Sequence, residues 1–274
     1  MRRYTNLLDV SAEQASALFN RCFEGYLVPV HLEAASFAGL ARSETIDLAA
    51  SLRVEEEGQC RAISLVARRG RVSRVAAMAV APEGRRQGLG RELLERLLFD
   101  ALHRGDSRLV LEVIEQNEAA VRLYESAGFT RVRRLVGYTR RPAAIAGEEL
   151  VEIETSEVAA MVGSHGMSDL PWQIDASSIA QASLPSRAYR LGPACAAVSD
   201  PAGASAVVRC LVVDSDERRQ GWGGSLLRSV VALNPEATWR VIAICPEEVP
   251  ARLFESAGFE RDTLSQLQME LVLG

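Results

Sequence analysis

RRQGLG at residues 85–90 returns as RRQGWG at residues 218–223, and this repeat decides the fold of the 274-residue chain. A second pair of segments, VRLYESAGFT at 121–130 and ARLFESAGFE at 251–260, shares seven of ten residues. The two pairs recur in the same order, 133 and 130 residues apart, so they belong to one duplicated unit. The sequence therefore predicts two related domains, residues 1–145 and 146–274.

The composition excludes several classes of protein. All 31 basic residues are arginine, and residues 146–274 hold 9 arginines against 18 acidic residues. So acidic a half argues against nucleic-acid binding, and no stretch reaches the roughly 20 apolar residues of a membrane span. The five cysteines and three histidines are too scattered for a zinc site or a disulfide framework. We expect a soluble cytoplasmic protein without metal, nucleic-acid or membrane partner, either a monomer or a homodimer.

The hydrophobic patterns predict the same element order in both halves. In the first half they predict a helix that begins with a capping box of Ser11 and Gln14 and runs to about Glu24, and then a second helix. Three antiparallel strands at 50–55, 60–68 and 71–81, a helix at 89–104 and a strand at 109–114 come next. A helix at 117–127 and a strand at 131–140 follow. The second half repeats this order in shortened form, with a strand at 187–198 and a helix at 248–257 among its elements, and residues 163–185 are left without a predicted structure.

The repeated hexapeptide is predicted to bind a pyrophosphate. It stands where a strand ends and a helix begins, so backbone N–H groups and the positive end of the helix face one point. Gly88 and Gly90 allow close approach of the backbone, and Arg85, Arg86 and Arg91 add positive charge. The loop fits neither a P-loop nor a dinucleotide fingerprint. The alternative is a turn that only opens a helix.

These residues carry a family resemblance. The hexapeptide is followed 27 residues later by Asn117-x6-Tyr124-x3-Gly128-Phe129, a pattern that resembles the GNAT N-acetyltransferase superfamily. The resemblance implies a tandem α/β (α+β) protein, in which each GNAT-like domain is a mixed, mostly antiparallel sheet flanked by helices. It also implies that the fourth and fifth strands splay apart around acetyl-CoA, the co-substrate, and that the whole loop from Arg85 to Arg91, with Gln87 and Leu89, binds it.

Two residues of the first half are candidates for proton transfer. Glu112 interrupts an apolar strand, where a carboxylate is costly unless it is paired or used, and it stands twelve residues before Tyr124. That spacing is similar to the base and acid of GNAT enzymes that act on ribosomal-protein N-termini. The resemblance thus makes Glu112 the base and Tyr124 the acid for the thiolate. The alternatives are a structural carboxylate held by a buried arginine and a core aromatic residue.

The resemblance assigns the remaining cofactor contacts. The backbone N–H of Met78 or Ala79 would stabilise the oxyanion, and Val80 would pair with the pantetheine arm like an added strand. Asn117 would contact the same arm, although its position also suits a helix N-cap.

The second half lacks the candidate chemical groups. Glu112, Asn117 and Tyr124 correspond to Ile242, Glu247 and Phe254, so residues 146–274 are predicted to form a degenerate GNAT-like domain. We therefore expect an acetyl-CoA-dependent N-acetyltransferase that uses the first domain to acetylate a small-molecule amine or a peptide N-terminus. A non-catalytic acyl-CoA-binding regulatory module, or transfer to a hydroxyl or thiol, remains open.

Overall fold

The computed structural model describes residues 2–274, which form two compact units. Among these residues, unit 1 consists of 2–113, 117–132 and 268–274, and unit 2 consists of 114–116 and 133–267. None of the helices in the described part of the chain has the length and apolar character of a membrane span.

Unit 1 has the predicted order of helices and strands. Its elements are β1 (Arg3–Asn6), α1 (Ala12–Cys22), α2 (Ala34–Ser43), β2 (Leu52–Glu56), β3 (Gln59–Arg69), β4 (Val72–Val80), α3 (Leu89–His103), β5 (Arg108–Ile114) and α4 (Glu118–Ser126). The strand order is β1-β2-β3-β4-β5, and only the pair β4–β5 is parallel. This arrangement confirms the predicted mixed, mostly antiparallel sheet.

Unit 2 repeats this topology. The remaining elements of the chain are β6 (Thr130–Arg140), β7 (Val151–Ile153), α5 (Thr155–His165), α6 (Ala176–Ala180), β8 (Arg187–Leu191), β9 (Ala194–Val198), β10 (Ser205–Val213), α7 (Trp222–Ala232), β11 (Thr238–Pro246), α8 (Arg252–Glu255) and β12 (Glu260–Val272). All of them lie in unit 2 except residues 130–132 of β6 and 268–272 of β12, which belong to unit 1. The order β7-β8-β9-β10-β11 again has its single parallel pair at the end, between β10 and β11.

The units interleave along the chain at their last strands. Residues 268–274 belong to unit 1, where the Leu273 N–H donates to the Ser107 carbonyl oxygen at 2.9 Å. Residues 133–140 of β6 belong to unit 2, where they pair with β11. The boundary near residue 145 separates the two sequence repeats, and as a domain boundary it stays a prediction. The compact units do not follow the repeats at their ends, because each contains the final strand residues of the other repeat.

Three local features differ from the sequence predictions. The predicted strand at 187–198 is a hairpin of β8 and β9, because Gly192 adopts a left-handed φ of 55° at the turn. Residues 163–185, left without a predicted structure, contain the short helix α6. β1 was not predicted because four half-exposed residues carry too little hydrophobic pattern.

Helix α1 begins as predicted. The Ser11 side chain accepts from the Gln14 backbone N–H at 3.2 Å, and the Gln14 side chain accepts from the Ser11 N–H at 3.0 Å. These two contacts form the predicted capping box.

Asp106 is a buried carboxylate just before β5 that connects several parts of unit 1 by hydrogen bonds and ion pairs. Its carboxylate accepts from the Ser73 hydroxyl at 2.6 Å and contacts the guanidinium groups of Arg68 and Arg104 at 3.2 and 3.0 Å. Burial raises its pKa, but the hydrogen bonds from Ser73 and Arg104 and the charge of Arg68 outweigh burial, so the pKa lies below its ordinary value.

We expect Asp106→Asn to destabilise the protein by about 3 kcal/mol at pH 7, because the half-buried Arg68 and Arg104 lose their buried counter-charge. A depressed pKa stabilises the fold above the unfolded value of about 4, and this contribution disappears as the pH falls through the folded value. Urea unfolding should therefore show a gap between the parent and the variant at pH 7 that shrinks below about pH 4. Asp100→Asn, which removes an exposed α3 ion pair with Arg96, should cost under about 1 kcal/mol. Equal losses from both variants would contradict this role.

Candidate active site

The loop at residues 85–90 has the geometry of an anion site in unit 1. It follows a 3-10 turn at Pro82–Gly84 and opens α3, whose N-cap is Gly88. Arg86 and Gly88 both adopt left-handed φ values, 62° and 81°, so the chain folds into a tight cradle at the helix N-terminus. Arg86, Gln87 and Gly88 are exposed, as is Arg91 in the first turn, whereas Leu89 is buried.

The loop of unit 2 has the same backbone form. Arg219 and Gly221 have φ values of 66° and 92°, and Gly221 is the N-cap of α7. A positive φ is uncommon for arginine, so finding it at both Arg86 and Arg219 shows that the two repeats share one specific loop conformation. An ordinary helix start does not require this conformation.

The first arginine of each loop contacts the backbone of its own unit. The Arg85 guanidinium donates to the carbonyl oxygens of Val80 at 2.9 Å, of Cys22 at 3.5 Å and of Glu24. In unit 2, Arg218 donates to Val213 and His165 in the same way. Each arginine thus fixes the loop against the strand before it and the end of the first helix of its unit.

The parallel strands diverge in both units. In unit 1 the pairing of β4 with β5 covers four residue pairs and ends at Val75 and Leu111, and Ala76 forms a bulge against β3. In unit 2 the pairing of β10 with β11 ends at Val207 and Arg240, and Arg209 occupies the bulge that corresponds to Ala76. The splay implied by the resemblance is therefore present twice.

Met78 and Val80 lie on the divergent half of β4. Both residues are half-buried, and they follow the last residue of β4 that pairs with β5. Their other side pairs with β3, where Met78 lies opposite Ser64 and Val80 opposite Ala62. This half of the strand therefore presents its β5 side to the opening between the strands, as the predicted backbone contacts require.

Glu112 lies one residue beyond the last β4–β5 pair and is held by a buried arginine. The Arg74 guanidinium contacts the Glu112 carboxylate at 2.7 Å and the Glu44 carboxylate at 2.5 Å. The three side chains are only 5%, 2% and 13% exposed, in the order Arg74, Glu112 and Glu44. Burial lowers the pKa of Arg74, but the two carboxylates outweigh burial and raise it, so Arg74 stays charged. The structure thus contains the contact that the alternative interpretation of Glu112, a structural carboxylate held by a buried arginine, predicts.

Tyr124 lies on α4 and is nearly inaccessible. Its ring packs edge-on against Phe129, with the centroids 5.7 Å apart, and its side chain is 7% exposed. Burial, together with the nearby Tyr26, raises the pKa of the Tyr124 phenol well above its usual range. The hydroxyl therefore keeps its proton throughout the neutral and mildly alkaline pH range.

Asn117 has the predicted N-cap role. Its side-chain oxygen accepts from the backbone N–H of Ala120 at 3.3 Å, in the first turn of α4. The predicted contact with a pantetheine arm stays a prediction.

The equivalents in unit 2 have structural contacts instead. Phe254 stacks on Tyr138 with the ring centroids 4.2 Å apart. The carboxylate of Glu247 pairs with Arg261 and Arg134, and the hydrogen bond from Arg261 is the main reason that its pKa is lowered.

Sequence reasoning missed Arg74, Glu44 and Tyr26. The signal for Arg74 is present, because this arginine interrupts the apolar strand β4 just as Glu112 interrupts β5. Two opposite charges in neighbouring apolar strands indicate a buried pair. No local signal marks Glu44 or Tyr26, which follow α2 and α1.

A comparison with known families matches the part of the chain that contains this site. The sequence profile described as the acetyltransferase (GNAT) family matches residues 12–129. This part of the chain belongs to the GNAT family. The matched region contains every predicted site residue of unit 1, from Met78 to Tyr124.

Individual proteins resemble shorter parts of the chain. The [ribosomal protein bS18]-alanine N-acetyltransferase of Escherichia coli K12 is 54% identical over 52 residues, which cover 19% of this chain and 35% of that protein. The mycothiol acetyltransferase of Thermobispora bispora is 46% identical over 71 residues, 26% of this chain and 24% of that protein. The chain thus matches about a third or less of the length of these relatives.

Among the solved structures that match the whole length of the chain is a tandem protein. A tandem GNAT protein from the clavulanic acid biosynthesis pathway aligns with a TM-score of 0.65 at 17% identity and covers 100% of this chain and 99% of that chain. At this identity the likeness concerns the fold, and it confirms the tandem GNAT-like architecture.

Proposed function

We propose that unit 1 is an acetyl-CoA-dependent N-acetyltransferase that acylates an amine, either a small molecule or a peptide N-terminus. The observation that carries this proposal is that, in a GNAT-family unit, the anion loop follows the half of β4 that does not pair with β5, and Glu112 stands directly after the last residue of β5 that pairs with β4. The exposed Arg86 and Arg91 suit the phosphates of CoA, and the free edge of β4 suits its pantetheine arm.

The residues of unit 1 divide the chemistry between them. Acetyl-CoA supplies an activated acyl group, whose C–S bond breaks as the C–N bond to the amine forms. The backbone N–H of Met78 or Ala79 stabilises the negative charge on the carbonyl oxygen. Glu112 accepts the proton of the amine through a water molecule, and Tyr124 donates its proton to the departing thiolate. Arg74 holds the carboxylate of Glu112 in place.

The proposal extends to the rest of the chain. Residues 1–145 form the catalytic repeat and residues 146–274 the degenerate one, because Ile242 and Phe254 cannot transfer protons. The protein works in the cytoplasm as a monomer or a homodimer and needs no metal.

The test measures amine-dependent release of free thiol from acetyl-CoA by the full-length protein. We expect Gly88→Glu to abolish release, because its carboxylate would repel the phosphates at the loop of unit 1. The matched variant Gly221→Glu should retain most of the activity. Both changes place a side chain at a left-handed glycine of an N-cap, so their structural strain is comparable.

The acceptor panel contains peptides with free and blocked N-termini and small polyamines. The chain has no lysine, so its own amino terminus is the only primary amine of the protein that must be controlled for. An amide product resists hydroxylamine, whereas an ester or thioester does not. Thiol release that survives Gly88→Glu, or binding of acetyl-CoA without release for any amine, would contradict the proposal and favour a binding module.

A further inference from the structure

Unit 2 contains a cleft of about 800 Å³ between the divergent halves of β10 and β11. The loop at residues 218–223 closes one end of the cleft, and the point where the strands separate closes the other. Most of its wall is apolar, formed among others by Leu211, Val213, Val241, Ile244 and Phe254. A cavity of this size suits an elongated ligand rather than a single ion.

Positively charged side chains line the cleft, although residues 146–274 contain twice as many acidic residues as arginines. Five of the nine arginines among residues 146–274 line it: Arg209, Arg218, Arg219, Arg228 and Arg252. Within the described residues none of these five forms an ion pair with a carboxylate, whereas Arg187, Arg190 and Arg261 elsewhere in unit 2 do. Glu217 and Glu248 are the acidic residues of the wall. The charge balance therefore favours an anionic ligand with an apolar middle part.

The arginines stand at both ends of the cleft. Arg219 belongs to the loop, and the Arg228 guanidinium lies over the first turn of α7, where it donates to the Ser225 hydroxyl at 3.1 Å. Arg209 is the bulge residue of β10 at the opposite end, two positions beyond the last pair with β11. The four residue-to-residue steps from Val213 back to Arg209 span about 13 Å along the strand. A ligand that fills the cleft thus meets positive charge at its head and at its tail.

Unit 1 differs from unit 2 at these positions. Ala76 stands where unit 2 has Arg209, and Glu95 stands where unit 2 has Arg228. Conversely, unit 2 has Ile242 and Phe254 in place of Glu112 and Tyr124. Unit 2 therefore has cations at these two positions, has Gly224 in place of Arg91, and lacks the groups for proton transfer.

We propose that unit 2 binds, without turning it over, a CoA thioester whose acyl group ends in a carboxylate. Arg219, Arg228 and the loop hold the phosphates, and Arg209 pairs with the acyl carboxylate. This site is separate from the proposed catalytic site of unit 1 and does not depend on whether unit 1 transfers acetyl groups.

The test compares two ligands of equal acyl length, succinyl-CoA and butyryl-CoA, which differ in one terminal carboxylate. Calorimetric titrations use the full-length Gly88→Glu protein, so that the loop of unit 1 is blocked. We expect one site at which succinyl-CoA binds at least about 10-fold more tightly, as a charge-assisted hydrogen bond predicts. Gly221→Glu added to this protein should remove the site.

The role of Arg209 is tested by Arg209→Met, with Arg240→Met as the matched control at an exposed arginine of β11 outside the cleft. Arg209→Met should weaken succinyl-CoA binding to the level of butyryl-CoA, and Arg240→Met should leave the difference intact. If Gly88→Glu impairs folding, the same comparison in the otherwise unchanged protein still isolates the dependence on Arg209.

Several results would overturn the proposal. These are equal affinities for the two ligands, a preference that survives Arg209→Met, no binding by a folded protein, and thiol release from succinyl-CoA by the Gly88→Glu protein. Acetyl transfer by unit 1 is read separately in the Gly221→Glu protein, so failure of either proposal can be told apart.

Discussion

Replacing Tyr124 by phenylalanine is expected to lower kcat for acetyl transfer by at least about 100-fold, the usual contribution of a general acid. The change removes one buried hydroxyl and leaves the ring contact with Phe129 in place. Titration of acetyl-CoA should therefore give an unchanged Kd, and the loss should appear in kcat alone. Steady-state kinetics with the best acceptor provide the measurement.

The pH profile supplies a second readout for Tyr124. Because burial raises the pKa of its phenol, the parent enzyme should show no decline in kcat from loss of this proton below about pH 10. Tyr138→Phe is the matched control, since this buried tyrosine of unit 2 stacks on Phe254, the counterpart of Tyr124. Similar kcat values for Tyr124→Phe and the parent would show that Tyr124 is a core aromatic residue.

Replacing Glu112 by glutamine is expected to lower kcat/KM by about 100- to 1,000-fold, because an amide of the same shape cannot accept the proton of the amine. The same change removes one of two carboxylates around the buried Arg74, so the protein should also lose stability. Kinetics at several pH values, together with urea unfolding, separate the two effects.

Glu44→Gln is the control that the structure offers for Glu112. It removes the other carboxylate of the same arginine, at 2.5 Å from the guanidinium, but it lies at the end of α2 rather than on β5. We expect it to lower stability comparably and to change kcat/KM by less than about 10-fold. If both variants lose activity in proportion to stability, Glu112 is a structural carboxylate and the base lies elsewhere.

The hydrophobic patterns were sufficient for most elements of both units. The predicted helix at 89–104 is α3 (Leu89–His103), and the predicted strand at 109–114 is β5 (Arg108–Ile114). The predicted helix at 248–257 shortens to α8 (Arg252–Glu255). Pro246 and Pro250 precede it, and a proline disfavours helical backbone in the residue before it.

The candidate site was only partly predictable. Order and spacing singled out Glu112 and Tyr124, and the loop was recognised from six residues. The pairing of Arg74 with Glu112, 38 residues away, needs two neighbouring strands to bring the charges together. The role of Arg85 was predicted as phosphate binding, whereas its guanidinium donates to backbone carbonyls of unit 1. The partners of a side chain depend on which residues, often distant in sequence, pack against it in the folded protein. The local sequence does not contain that information.

The sequence by itself determined the duplication, the order of the elements, the family of residues 12–129 and the loss of proton-transfer groups from the second repeat. These features depend on residue identity and on patterns among residues that are close together in sequence, so the sequence alone contains them. Only the tertiary structure decided that the units exchange their last strands and that one cleft is lined by five arginines, none of which forms an ion pair within the described residues. Burial and charge pairing act between residues far apart in sequence, so they exist only once the sheet has assembled.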